Sequence, residues 1–249
     1  MTLRFIIIVP HGYCYEKIEV RHCDRRALEE ANKLKSLIES KGHHVDFFIA
    51  DRFRAEIDYN RKPSRDSAIR NAIRKKIREY KDDRVVIFEM HSFPDNYNQE
   101  GYDFKDARVA LLSIPRYEED MYFLTKYVQE KTGFEIVAEK GVNTNDIQWD
   151  TNETGDNIHH YLIESRENKT DYPEEDSDII IQHILEGALK RVEITGGGFI
   201  LAALPKALYL TSIIKHYEYI ILILLILFIF YVIEHTTKFS PVSYLETLL

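Results

Sequence analysis

Three groups of chemically capable residues follow apolar, strand-like runs in this sequence. Pro10-His11-Gly12 comes directly after Phe5-Ile6-Ile7-Ile8-Val9, with Glu16 and Asp24 downstream. Arg54, Asp58, Asn60 and Arg61 follow the run from Val45 to Ala50, and His91-Ser92-Phe93 ends the run that begins Val85-Val86-Ile87-Phe88. Sites in open α/β sheets are built at the carboxyl ends of strands. Two histidines at the ends of neighbouring strands, with a carboxylate, match the three protein ligands of a catalytic zinc, whose fourth position stays open. Such an ion activates water near neutral pH and polarises a scissile carbonyl. The remaining histidines, His22, His43, His44, His159, His160 and His183, read as surface or structural groups.

The elements that must carry these groups alternate. A first strand over 3–9 is continuous, branched and apolar, which suits a strand covered on both faces. Ala27, Leu28, Ala31, Leu34, Leu37 and Ile38 recur at helical spacing over 25–40, and Gly42 is a natural stop. A second strand covers 45–50. Ser64 is placed to cap the next helix, whose inner face is Ala68, Ala72, Ile73 and Ile77. The basic residues from Arg70 to Arg78 read as the solvated face of that helix. Further strands are expected over 84–91, 107–114, 134–138 and 161–164, and helices over 117–131, ended by Gly133, and 178–192. The polar stretch 139–157 reads as a loop. Strands alternating with helices predict an α/β/α domain with a largely parallel sheet.

The chain has 249 residues and a net charge of −8, and it lacks the basic stripe that a nucleic-acid partner would require. Its two cysteines, Cys14 and Cys23, are too few for a disulfide scaffold and are expected as free thiols in a reducing compartment. After Gly196-Gly197-Gly198 the character changes. Residues 199–214 are apolar apart from Lys206, and Tyr219 to Ile233 has no charge. At ~1.5 Å per residue that run, with Tyr217 and snorkelling flanks, nearly spans a ~30 Å hydrocarbon layer. The organisation expected is therefore a catalytic domain over 1–195, an apolar or amphipathic linker over 196–216, a transmembrane helix over 217–234 and a short tail over 235–249. The location expected is a membrane, crossed once near the C-terminus, with the catalytic domain cytosolic and the lipid bilayer as a partner.

Pro10-His11-Gly12, the Arg-x-x-x-Asp-x-Asn-Arg string at Arg54, Asp58, Asn60 and Arg61, and His91-Ser92-Phe93 together resemble the N-formylglutamate amidohydrolase family, which is similar in fold to zinc carboxypeptidases. The resemblance covers about 3–166. It implies a three-layer α/β/α fold with a mixed, mostly parallel sheet of the phosphorylase/hydrolase-like kind, and one zinc ion as cofactor. Carried over, it implies that His11 and His91 bind the metal together with an acid. Asp24 lies where the family has an aspartate before its first helix. Glu16 lies nearer His11, and Cys14 occupies the place of the carboxypeptidase glutamate and could be a soft ligand, so the third ligand stays open. Arg54, Asp58, Asn60 and Arg61 would bind a substrate carboxylate, because a guanidinium fork matches a carboxylate with two parallel hydrogen bonds. Asp58 would orient the arginines. Glu164, at a strand end, would be the general base, with Arg54 assisting the chemistry. The implied activity is hydrolysis of an amide or formamide bond beside a carboxylate, in a small acylated amino acid or a peptide. The alternative is an inactive, membrane-tethered binding module of the same fold.

Overall fold

A computed structural model describes residues 2–14, 23–94, 98–99, 102–104, 107–140, 146–152 and 157–196 of the chain. The chain divides into two compact units, Met1–Ile194 and Thr195–Leu249. In the first unit the elements run β1 (Leu3–Val9), α1 (Arg25–Ser40), β2 (Val45–Ile49), α2 (Ala68–Glu79), β3 (Arg84–Phe93), β4 (Asn98–Gln99), β5 (Tyr102–Asp103), β6 (Val109–Ser113), α3 (Glu118–Thr132), β7 (Ile136–Lys140), α4 (Asp146–Asn152), β8 (Ile158–Arg166) and α5 (Glu174–Gly196). Six strands form one sheet in the order β2-β1-β3-β8-β6-β7, and β4 and β5 pair as a small antiparallel ribbon.

The four strands β2, β1, β3 and β8 are parallel, while β6 pairs with β8 antiparallel and β7 follows β6. The sheet is thus mixed and mostly parallel, as the motif resemblance implies and as strand–helix alternation alone does not. Layering follows from the apolar content of the inner strands. Phe5, Ile7, Val9, Val86, Phe88 and Met90 pack towards α1 and α5, and Ile6, Ile8, Val85 and Ile87 towards Ile73 and Ile77 of α2 and Ile147 of α4. Alternation along a strand sends successive side chains to opposite faces, so a run buried on both needs a helix layer on each side.

The order β2-β1-β3 has a consequence for function. The chain leaves β1 to one side through α1 and β2, then returns through α2 to its other side as β3. The carboxyl ends of β1 and β3 therefore flank a switch point, where doubly wound sheets form a crevice. Gly12, at the turn after β1, is required by a close approach: a Cβ there would lie 2.8 Å from Val9 Cγ1 and 3.0 Å from Ile49 Cγ2.

Several sequence expectations need correction. The helix cap is Ser67, whose side chain accepts from the Arg70 amide, and not Ser64. The Ser64 hydroxyl instead bonds the carbonyls of Asp58 and Arg61, each at 2.7 Å. Arg70 is not part of a solvated face. It is 1% exposed, its Nε donates to Asp150 at 2.9 Å, and its two terminal nitrogens donate to the carbonyls of Arg61 and Asp146 at 3.0 Å. The expected loop over 139–157 contains α4, which supplies Asp150. Seven residues form too short a helix to announce itself by periodicity. Cys14 and Cys23 form a disulfide, with their Cα atoms 5.3 Å apart, so neither is a free thiol and Cys14 is no soft ligand. A second buried pair, Arg26–Glu30, joins α1 to Ser177 and Glu174 of α5 and to Ser165 of β8.

The membrane location is overturned. Among the described residues no helix is long and apolar enough to cross a membrane. The transmembrane span expected over 217–234, the linker over 196–216 beyond its first residue, and the tail lie outside the described residues.

Removing one partner of a buried ion pair leaves the other charge dry and uncompensated. Arg70→Leu is accordingly expected to lower the unfolding free energy by about 3 kcal/mol, read from urea denaturation. Arg78→Leu, on the exposed face of the same helix, is expected to change it by less than about 0.5 kcal/mol. Equal effects would show that Arg70 acts only as a surface residue.

Candidate metal centre

Three segments deliver the central residues. His11 sits in the turn that ends β1, Asp24 directly precedes α1, and His91 lies near the end of β3. Ligand atoms of all three fall within 4.8 Å of one another, and all three residues are buried. The Asp24 amide donates to the His11 carbonyl at 3.0 Å, which fixes the start of α1 against the end of β1. The Cys14–Cys23 bridge closes the same two segments one step further out.

Asp24 occupies the position where a carboxylate ordinarily caps the helix, yet its side chain makes no cap bond. Its Oδ2 lies 3.1 Å from His11 Nδ1, 3.4 Å from His91 Nδ1 and 3.3 Å from the Ser92 amide. The helix amide that a cap would take, that of Arg26, donates to Glu167 at 3.1 Å instead. Glu167 also receives the Ser92 hydroxyl. One acid thus satisfies the helix end and leaves the other to face two imidazoles. Burial on its own would raise the Asp24 pKa, but the charges and hydrogen bonds of His11 and His91 hold it well below the usual carboxylate range.

Each imidazole is held from behind by another carboxylate. His11 Nε2 lies 2.9 Å from Asp58, and His91 Nε2 lies 2.9 Å from Glu89. Metal-ligating histidines characteristically donate their second ring N–H to such a group, which fixes the tautomer and frees the other nitrogen. Burial opposes ionisation of Asp58 and of Glu89. Their histidine partners outweigh it, so Asp58 is depressed, and Glu89 is depressed to about 2. Burial likewise disfavours a charged His91, but its hydrogen bonds to Asp24 and Glu89 and the charge of Glu164 raise it to about 10. Two imidazoles and a carboxylate facing one point, with carboxylates behind the rings, fit a divalent cation in donor type and number.

Glu164 pairs in register with His91 across β3 and β8. Neighbours in register on parallel strands project to the same face. Burial and the charge of Asp24 push its carboxyl up to about 7, against the opposing charges of His91, His11 and Arg54. Asp58 is shared. Its Oδ1 takes His11 Nε2 and the Asn60 amide, and its Oδ2 lies 3.4 Å from Arg54 Nε and 3.8 Å from Arg61 Nε. Arg54 and Arg61 are about a third exposed, whereas Asn60 is buried and its Oδ1 has no hydrogen-bond partner. The structure therefore brings His11, Asp24, His91, Glu164, Arg54, Asp58, Asn60 and Arg61 to one end of the sheet. Glu16 lies outside the described residues.

Sequence reasoning placed Glu89 beside His91 but gave neither it nor His160 a role, and missed the bond from Asp58 to His11. Glu89 did leave a signal: a charge inside an apolar strand, two residues before His91, falls on the face His91 uses. His159 and His160 are buried, not surface groups. His159 pairs with Asp120 at 2.7 Å, and His160 with Glu89 at 3.0 Å.

No protein-family model matches the chain, and no curated protein matches it. Among solved structures the chain is similar to a gene product of Agrobacterium tumefaciens, Atu2144, with a TM-score of 0.56 and 16% identity over 76% of this chain and 91% of that one. It also aligns with the catalytic domain of CwlV, an N-acetylmuramoyl-L-alanine amidase from Bacillus (Paenibacillus) polymyxa var. colistinus, at a TM-score of 0.47 and 12% identity over 76% and 98% of the two chains. A third alignment, with the N-acetylmuramoyl-L-alanine amidase AmiC2 of Nostoc punctiforme, has a TM-score of 0.46 and 10% identity over 76% and 97%. The first likeness shows the fold. None of these three structures is described as an N-formylglutamate amidohydrolase, so that kinship stays a resemblance of motif.

A cation and a proton compete for His91 Nδ1, because the Nε2–H stays on Glu89. With His91 raised to about 10, the proton holds the site at neutral pH. The affinity for Zn2+ or Co2+ is therefore expected to climb by about tenfold per pH unit between roughly pH 7 and 9, for one displaced proton. Chelator-competition titrations read this slope directly, and an affinity flat across that window would contradict the His91 environment described here.

Proposed function

We propose that this chain is a zinc-dependent amide hydrolase acting on a substrate that carries a carboxylate near the scissile bond. The observation that supports it most is the convergence of His11, Asp24 and His91, with Glu164 in register with His91 on the neighbouring parallel strand. His11, Asp24 and His91 would hold the ion, which when bound supplies Lewis acidity and an activated water.

This chain's own residues divide the remaining work. Glu164, with a pKa lifted towards neutrality, accepts a proton at its carboxylate and returns it to the departing nitrogen. Arg54 and Arg61, partly exposed, present their guanidinium groups to the substrate carboxylate, and the buried Asn60 completes that wall. Asp58 holds both arginines apart from His11 while ordering the ring. Ser64 and Arg70, through the carbonyls of Asp58 and Arg61, fix the loop that bears them. Acylated amino acids and peptides with a free carboxylate have the charge that this wall recognises. An inactive binding module drew its support from a cysteine standing where a glutamate is expected. Cys14 is bonded to Cys23, and Asp24 brings a carboxylate to the imidazoles instead, so that support is gone.

Metal content and a screen of N-acyl amino acids and peptides on the full chain test the proposal. About one equivalent of zinc is expected, lost on His11→Ala or His91→Ala. Glu164→Gln is expected to keep the metal and lose about 10²–10⁴ in kcat. Arg61→Ala is expected to raise KM by about tenfold or more with a smaller change in kcat. Undiminished turnover in Glu164→Gln would remove the general-base assignment, and absence of bound zinc would remove the hydrolase reading altogether.

A further inference from the structure

The strand that carries His91 also takes a second acid into the interior. Glu89 is fully buried, and its two oxygens are divided between two rings: Oε1 lies 2.9 Å from His91 Nε2, and Oε2 lies 3.0 Å from His160 Nε2. His160 sits on β8 in register with Ile87 and is 1% exposed. Its other nitrogen lies 3.0 Å from Thr151 Oγ1 on α4. The single Thr151 hydroxyl proton can go to His160 Nδ1 or to the Gln148 carbonyl, 2.8 Å away, and Thr151 Oγ1 lies 3.0 Å from the Tyr117 hydroxyl. A continuous polar chain thus runs from the candidate metal centre through the sheet face to α4 and the turn before α3.

Such a chain is costly to build. Each dry polar group needs a partner or it destabilises the fold, and a pair of apolar residues would fill the space without that demand. A metal ligand of the His91 kind calls for an acceptor behind its ring, which Glu89 supplies. It does not by itself call for a second imidazole.

We propose that His160, acting through Glu89, is a positioning residue for His91. An ionised carboxylate can only accept, so each of its oxygens requires an N–H from its ring. His160 occupies one oxygen and is itself anchored by Thr151. Glu89 is therefore locked in the orientation that requires His91 to carry its proton on Nε2. When a cation displaces the other proton, His91 Nδ1 is then the atom that presents its lone pair, on the side where Asp24 and His11 converge. Without His160 the carboxylate loses the donor on Oε2, and the ring of His91 is held less firmly in its tautomer and its aim. This inference rests on the reading of His11, Asp24 and His91 as a metal site.

The test uses the full chain with three substitutions. His160→Leu removes the donor, His160→Gln replaces it with an amide N–H, and Thr151→Val removes the anchor isosterically should the leucine variant not fold. Zinc affinity is measured by chelator competition, and the melting temperature of the metal-free protein is measured beside it. In the zinc-loaded protein, ¹⁵N shifts report which ring nitrogen of His91 keeps its proton. His160→Leu is expected to weaken zinc by about 10–100-fold, and Thr151→Val by about threefold or more. His160→Gln is expected to stay within about threefold of the parent, with His91 protonated at Nε2. A His160→Leu or Thr151→Val protein that melts earlier but binds zinc as the parent does would overturn the proposal and leave His160 a packing residue. A parent chain that binds no zinc would instead remove the metal reading itself, and this inference with it.

Discussion

A carboxylate placed where water cannot reach it is stable only among donors, and Asp24 has two imidazoles and a backbone amide around a single oxygen. These donors come from β1, β3 and the residue after His91, which are distant in sequence. The strand order β2-β1-β3 brings them together, because the chain must leave β1 on one side and return on the other. Interchanging β1 with β2 would separate His11 from His91. Burial of the apolar strands thus fixes where the polar groups meet. The helix α1 is anchored to the same point by the Asp24 amide, and Glu167 takes over its free N-terminal amide. Sheet order, helix start and candidate metal centre are therefore a single arrangement.

The two imidazoles are supported from opposite directions, and the difference bears on function. Asp58, behind His11, belongs to a loop that also carries the partly exposed Arg54 and Arg61. On the proposed reading, a substrate carboxylate arriving at those arginines would compete with Asp58 for them, and so would act on the hydrogen bond that holds His11. Glu89, behind His91, is buried, and His160, itself beside Thr151, holds it from the interior. One ligand is tied to the side where substrate would bind and the other to the core. A site assembled this way keeps one ring rigid while the other can respond to occupancy.

How far the sequence could be read depended on whether a residue's role is local. His11 and His91 were legible because each ends an apolar run, and runs of that kind become strands whose ends lie together. Asp24 was legible as a candidate beside Glu16 and Cys14, but its place against both imidazoles was not, since that depends on where the chain turns between β1 and α1. The parallel part of the sheet followed from alternation. The antiparallel β6 did not, because a reversal of direction leaves no mark on hydrophobic period. Arg70 was misread for a related reason. Its spacing to Ile73 and Ile77 puts it on the buried face of α2, but its charge reads as a surface residue, and only α4, hidden in a polar stretch, supplies the buried Asp150 that draws it inward. His160 looked like any other histidine until β8 placed it opposite Ile87.

The reversal at β6 also shapes the surroundings of Glu164. Were the sheet parallel throughout, the strand beside β8 would send its own carboxyl end, and the loop after it, past Glu164. Instead β6 begins there, with Ala110 in register with Glu164 and Val109 with Ser165. Arg166 fastens this start by donating to the carbonyls of Ala107 and Phe104 at 3.0 and 3.1 Å. That flank of Glu164 is thereby occupied by backbone and by the buried Phe93 and Phe104. On the other flank, across β3 and β1, stand the partly exposed arginines. Burial and the charge of Asp24 raise the Glu164 carboxyl, while the charges of His91, His11 and Arg54 restrain that rise. A proton-transferring acid needs this balance: dry enough to hold a proton near neutral pH, and close enough to positive charge to release it.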